Sequence, residues 1–240
     1  MDKLDFNQLI KSTRVDENIF KPNLTSQLSF ETAILEIKKN FKVLDLGCGC
    51  GIIGIALMKS IPNIEMHCSD FDANSIKNTK KNFIQHKLTA DIREGSLFDP
   101  WSDKKFDYII NDVSGISSVI AKNSPWFGDE IPCDSGEDGS NLTVSIIKKA
   151  KNYLTKKGSM QIPLISLSTV QNIVNIAEEN FSDVKIVKSK DWFLPKEMES
   201  LKDKMNELKS KNYINFDEKF GKIICKTSIA LCKNKKTQNE

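Results

Sequence analysis

The sequence predicts a mostly parallel, doubly wound α/β sheet of seven strands with helices on both faces. Three observations carry that expectation. Val43-Leu44-Asp45-Leu46 is a short apolar run that passes directly into Gly47-Cys48-Gly49-Cys50-Gly51 and then Ile52-Ile53-Gly54, which reads as a buried strand, a sharp glycine turn and a helix. Downstream, short apolar runs alternate with helical periodicity, the pattern of right-handed crossovers between parallel strands. The 240 residues suffice for one such domain with an elaboration.

Residues 1–40 read as an N-terminal extension with a helix near Gln27–Asn40, on which Leu28, Ala33, Ile34 and Ile37 share a face. The domain proper spans 41–233. Its first strand is Phe41–Leu46, followed by a helix to about Lys59. Pro62-Asn63 breaks the chain before a second strand, Ile64–Ser69, which Asp70 ends. Asp72 is a natural N-cap for the polar helix that runs to about His86. A short third strand, Ala90–Glu94, leads into Gly95-Ser96-Leu97-Phe98, and Asp107–Ile110 forms the fourth.

The stretch Asn111–Ser140 is rich in Gly, Ser, Pro and Asp, and loops this long inside a domain are commonly functional. A helix from Leu142 to Leu154 is expected to stop at Lys156-Lys157-Gly158, a basic last turn with a terminal glycine. A fifth strand, Ser159–Ile165, a helix over Thr169–Asn180 and a sixth strand, Val184–Val187, follow. An inserted helix at about 196–212 carries an apolar stripe of Met198, Leu201, Met205 and Leu208, suited to packing on its own domain or to a lid. Ile223–Leu231 is the seventh strand, and 234–240 reads as a flexible lysine-rich tail.

With 39% hydrophobic and 28% charged residues the composition is that of an ordinary globular domain. A net charge of +3 is too small to argue for nucleic acid, although lysines dominate from about Lys185 onward. No run approaches the roughly 20 apolar residues of a membrane span. The polar start does not resemble a secretory signal, so a cytoplasmic location is expected. The six cysteines, at 48, 50, 68, 133, 225 and 232, lack C-x-x-C spacing, and only His67 and His86 offer imidazole. Neither a metal site nor a disulfide framework is expected.

The string D-x-G-x-G-x-G after Val43-Leu44 resembles the first motif of class I S-adenosylmethionine-dependent methyltransferases. It fits the dinucleotide fingerprint G-x-G-x-x-G less well. The resemblance implies S-adenosyl-L-methionine as cofactor in a Rossmann-like sheet. Asp45 then faces the methionine ammonium, and Gly47, Cys48, Gly49 and Gly51 underlie its carboxylate and ribose. Asp70, at the end of the next strand, is placed to accept both ribose hydroxyls. Phe71 lies against adenine, Ser96 and Leu97 meet its edge, and Asn111 closes the set at the end of the fourth strand.

The run D-F-D-A-N-S-I-K-N-T-K-K-N at 70–82, then E-G-S-L-F at 94–98, F-D-Y-I-I at 106–110 and Pro132-Cys133-Asp134-Ser135-Gly136-Glu137-Asp138-Gly139, is similar to the release-factor glutamine methyltransferase group and its small-domain relatives. That group's amine-methylating motif is Asn or Asp followed by Pro-Pro-Tyr. Here the matching positions read Asp112-Val113-Ser114-Gly115, without the prolines or the ring. The group's motif-three Asp is replaced by Ser96, and only about forty residues precede motif one. Asp112 remains the candidate catalytic residue, as acceptor of a target N–H or as general base, with a helix or turn cap as its alternative role. Trp126 and Phe127 are candidate substrate contacts. The expected activity is N-methylation of a protein amide or a nucleic-acid amine. Small-molecule N- or O-methylation and a non-catalytic partner subunit are the alternatives.

Overall fold

The structure is a computed structural model that describes residues 4–127 and 133–236. Its sheet runs β3-β2-β1-β4-β5-β8-β6, with a short β7 paired to β8 off that path. The strands are β1 (Lys42–Leu46), β2 (Glu65–Asp70), β3 (Asp91–Glu94), β4 (Phe106–Asn111), β5 (Leu154–Ile165), β6 (Phe181–Phe193), β7 (Asp217–Lys219) and β8 (Lys222–Lys235). β1 to β5 are parallel, whereas β8 pairs antiparallel with β5, β6 and β7. Seven strands thus form the continuous sheet, as expected, and β7 forms a short hairpin with the start of β8.

Helices cover both faces. On one lie α1 (Phe6–Ser12), α2 (Leu24–Glu36), α3 (Ile52–Ser60) and α4 (Ala73–Gln85), packing Phe6, Phe30, Ile55 and Phe83 against Val43, Tyr108 and Ile110. On the other, α6 (Asn141–Ala150) and α7 (Val170–Asn180) pack Ile146, Ile147 and Ile173 against Leu44, Leu46 and Ile109. Neighbouring residues of β1 and β4 therefore enter opposite cores, the period-two signature of a strand buried on both sides.

A third apolar cluster gathers α5 (Ser118–Ala121), the 3-10 turn Lys196–Leu201, α8 (Lys202–Ser210), Ile214, Phe216 and the start of β8. Met198, Met205 and Leu208 of the insertion are buried in it. The stripe packs on its own domain.

Several boundaries differ from the sequence expectation, each for a physical reason. α1 was not anticipated; Asp5 caps it by accepting from Asn7 N and Gln8 N. α2 starts at an Asn23 cap and stops at Glu36, short of Asn40. α6 ends at Ala150, and the following Leu154 already pairs with Phe106 in the sheet. Lys156-Lys157-Gly158 is consequently an irregularity within β5, not a helix end. β6 is 13 residues long, far beyond Val184–Val187, because an edge strand needs few apolar side chains. β8 continues past Lys233 to Lys235, so part of the stretch expected to fray is paired, while 237–240 lie outside the described residues.

Candidate active site

The order reverses between β1 and β4, and ligands in such sheets bind beyond the strand ends at that switch. A cleft of about 610 Å³ opens there. Its floor is the glycine loop. Gly47 N and Cys48 N both donate to Ser69 O, at 2.9 and 3.0 Å, and Gly51 N donates to Cys48 O at 2.7 Å. Gly47 has φ +80°, and a Cβ there would stand 2.8 Å from Val113 Cγ1. Only glycine lets the β1 and β4 loops approach this closely.

α4 holds the loop from behind. Thr79 Oγ1 donates to Gly49 O at 2.7 Å, and Asn82 Nδ2 donates to Cys50 O at 2.9 Å. Asp72 caps α4 as expected, accepting from Asn74 N and Ser75 N. Thr79 and Asn82 are fully buried in a helix that reads as polar, and sequence reasoning missed their role.

Asp70 bridges the strand ends. Its Oδ2 accepts from Gly49 N at 2.9 Å and its Oδ1 from Asp72 N at 3.0 Å. Burial nevertheless lifts its carboxyl above the usual range. Each oxygen keeps a lone pair for a further donor. Phe71, 67% exposed, stands at the cleft edge as a large apolar face without cover. Ser96 and Leu97 also line the cleft, with Leu97 at φ +47° and Gly95 N bonded to Asp70 O at 2.9 Å.

Asp45 is 1% exposed, and neither of its oxygens has a hydrogen-bond partner. Burial, followed by the charge of Asp112, pushes its carboxyl up to about 8; the Gly54 N–H pulls the other way without reaching hydrogen-bond geometry. A buried carboxylate without partners is costly unless a compensating charge arrives.

Asp112 is half-buried at the other end of the cleft. Ser26 Oγ donates to its Oδ2 at 3.0 Å, and burial pushes its carboxyl up to about 7. Ser26 belongs to α2, which buried polar contacts fix to the sheet. Gln161 Nε2 donates to Ser29 O at 3.1 Å, and Tyr108 Oη donates to Gln161 Oε1 at 2.8 Å. Phe20, Trp126, Phe127 and Trp192 wall this end. Phe20 and Phe127 are tilted at a centroid distance of 5.1 Å, and Trp126 meets Trp192 edge-on at 5.6 Å.

The cleft brings together Gly47, Cys48, Gly49, Asp70, Phe71, Ser96, Leu97, Asp112, Trp126 and Phe127. Three expected residues do not line it. Asp45 is buried behind the loop. Gly51 is covered by Thr79 and Phe83, since a Cβ there would lie 2.8 Å from Thr79 Cγ2. Asn111 is fully buried, and its Oδ1 accepts from Val113 N, shaping the loop rather than touching a ligand. Asp112 caps no helix; its nearest hydrogen-bond partner is Ser26. Phe20, Asn23 and Ser26 are cleft residues that sequence reading missed, and the Asn23-Leu24-Thr25-Ser26 cap string was the available signal for the last two; Trp192 lines the cleft as well. Pro132 of the expected family segment lies outside the described residues. Gly139, which ends that segment, has φ +74°, and its Cβ would lie 2.4 Å from the Ile116 carbonyl carbon and Ser117 N.

Residues 25–112 match the family described as methyltransferase small domain. The chain is 25% identical over 158 residues to the release factor glutamine methyltransferase of Geobacter sulfurreducens, covering 62% of this chain and 54% of that protein. It is 28% identical over 137 residues to the ribosomal RNA small subunit methyltransferase C of Haemophilus ducreyi, covering 57% of this chain and 36% of that protein. The chain thus spans about half or less of the length of these relatives.

Among solved structures, the ribosomal protein L11 methylase of Lactobacillus delbrueckii subsp. bulgaricus superposes with a TM-score of 0.56 at 16% identity, covering 92% and 84% of the two chains. The Thermus thermophilus 16S rRNA N2 G1207 methyltransferase, solved with AdoMet and guanosine, gives 0.55 at 15% identity, covering 89% and 44%. These likenesses show the same mostly parallel α/β fold over about nine-tenths of the chain, including strands beyond the family match. Among the described residues no helix is long and apolar enough to cross a membrane.

Proposed function

We propose that this chain is an S-adenosylmethionine-dependent methyltransferase acting on a nitrogen atom of a protein or nucleic-acid acceptor. The observation that carries the reading is the pairing of a glycine-loop floor and the Asp70 carboxylate at one end of a cleft with Asp112 at the other. The residues fit the cofactor. Asp70 keeps one lone pair on each oxygen for the ribose hydroxyls, after anchoring Gly49 and Asp72. Space stays open above Gly49, where a Cβ would meet nothing within 4 Å. The unpartnered Asp45 carboxyl behind the loop, pushed up to about 8, would be drawn back to its charged form by a ligand that brings an ammonium and a sulfonium.

When bound, the sulfonium supplies an activated methyl carbon, on which a nitrogen lone pair forms a C–N bond as the C–S bond breaks. The protein's share is orientation and exclusion of water. α2 and the rings of Phe20 and Trp192 close the acceptor end, and Ser26 steadies one oxygen of Asp112 so that the other faces the acceptor N–H. In the resembling group a proline carbonyl supplies a second N–H acceptor, and the main-chain carbonyl of Val113 occupies that position here. The names of the relatives favour glutamine amides or ribosomal RNA as acceptors. Isothermal titration with S-adenosylmethionine tests the first half of the reading. Transfer of tritium from labelled cofactor into fractionated lysate tests the second, with label expected in protein or RNA. Label confined to small molecules would redirect the acceptor assignment, and no cofactor binding would defeat the reading.

A further inference from the structure

Resting on that reading, we infer that the acceptor end of the cleft takes a protonated aliphatic amine, held among Phe20, Trp126, Phe127 and Trp192 against the Asp112 carboxylate. Three lines of physical chemistry converge on it.

The rings come from separate parts of the chain: the segment before α2, the loop after β4 and the end of β6. Two ring pairs are in contact across them, at 5.1 and 5.6 Å. Aromatic faces carry negative quadrupole charge and attract a cation brought within about 6 Å of a ring centroid. Trp192 is further fixed by its Nε1–H, which donates to Thr227 Oγ1 at 3.0 Å, so its ring is held in place before a ligand arrives.

The charge of the lining points the same way. Its titratable side chains include Asp70, Asp72, Asp112 and Asp134, and among the described residues it contains no Lys, Arg or His. Asp134 accepts from Gly136 N at 3.0 Å and Ser118 Oγ at 2.8 Å, which holds its carboxyl below the usual range and keeps it charged. A cleft of this sign inside a chain of net charge +3 repels the phosphates of a nucleic acid and concentrates cations.

The chemistry of the nitrogen completes the argument. A neutral amide has no proton to shed before it reacts. An ammonium has no lone pair until it loses a proton. Asp112, half-buried and pushed up to about 7, is suited to receive it: the N–H bond breaks, an O–H bond forms on the carboxylate, and the proton passes on to solvent. The Ser26 hydrogen bond leaves one Asp112 oxygen for that transfer.

The test is a fluorescence titration of the full chain preloaded with S-adenosylhomocysteine, using n-butylammonium, butyramide and guanosine as probes. Trp101 is fully buried beside Ser69, so changes at the cleft report on Trp126 and Trp192. n-Butylammonium is expected to perturb the emission and to bind at least tenfold more tightly than butyramide or guanosine. Asp112→Asn should abolish that preference. Trp192→Leu should weaken n-butylammonium at least threefold, while Trp192→Phe, which keeps a ring and guards against a folding defect, should retain it. Equal or tighter binding of butyramide or guanosine would overturn the inference. Calorimetry on the same samples separates the two levels. S-adenosylhomocysteine bound without amine preference defeats the amine pocket alone, and no nucleoside binding defeats the methyltransferase reading and the inference with it.

Discussion

The two ends of the cleft are built differently. The nucleoside end is made of backbone: Gly47–Gly51, the turn at Asp70 and the strained Gly95–Leu97 corner, held by hydrogen bonds between residues close in sequence or on adjacent strands. The acceptor end is made of side chains from remote segments, with Ser26 and Asp112 separated by 86 positions and Trp126 and Trp192 by α6, β5, α7 and most of β6. A backbone-built site constrains where glycines and a carboxylate must fall along the chain. A side-chain-built site constrains only what meets in space, so it is free to change acceptor while the cofactor end stays the same.

The largest effect that would sharpen this division is at Asp112. Asp112→Asn is expected to lower kcat by about 10²–10⁴-fold, the range for loss of a general base, with S-adenosylmethionine affinity unchanged within about twofold. Steady-state kinetics beside calorimetry checks it. Loss of both together would mean that the two ends are not separable.

Asp45 provides the next test, through pH. Its carboxyl has a value of 3.8 when unperturbed and about 8 in the fold. Between those values the unfolded chain has released a proton that the native state retains, so stability falls as pH rises from about 4 to 8 and levels off above. One such group contributes a slope of about 1.4 kcal/mol per pH unit where it is the only one out of balance. Asp45→Asn should make the decline shallower, leaving the part due to Asp112 between about 4 and 7. Urea denaturation from pH 5 to 9 measures it, and an identical slope in both proteins would contradict the burial argument.

Gly139→Ala should cost about 1–3 kcal/mol of stability, since a left-handed φ and contact with the backbone at Ile116-Ser117 cannot both be relieved. Its effect should fall on the acceptor end, whose loop it braces, and spare nucleoside affinity. Thr79→Val is the smallest and the mirror image. Removing the donor to Gly49 O should cost about 1 kcal/mol and weaken nucleoside binding first. Thermal denaturation with and without S-adenosylhomocysteine distinguishes the two variants.

The same division explains what was legible in the sequence. The β1 strand, its glycine loop, Asp70 and the Asp72 cap could be read because each depends on residues a few positions apart. α1 went unseen because its seven residues carry too few apolar positions to show a period. β6 was read as four residues because its outer face is lysine-rich and solvated, so alternation was hidden at an edge. Lys156-Lys157-Gly158 imitates a helix end so well that only the pairing of Leu154 with Phe106 reveals the strand. In the wall of the acceptor end, the Asn23 cap string marks only where α2 starts, and nothing around Phe20 or Ser26 reports on the cleft they meet.

The account stands most directly on the affinity of S-adenosylhomocysteine for the parent chain and for Asp70→Ala, measured by calorimetry. One site per chain is expected in the parent. The variant should lose about 1.5–3 kcal/mol, or roughly 10- to 150-fold, as hydrogen bonds to a charged acceptor are removed and the Gly49 loop loosens. No binding to the parent, or an affinity in the variant within twofold of it, would contradict the account.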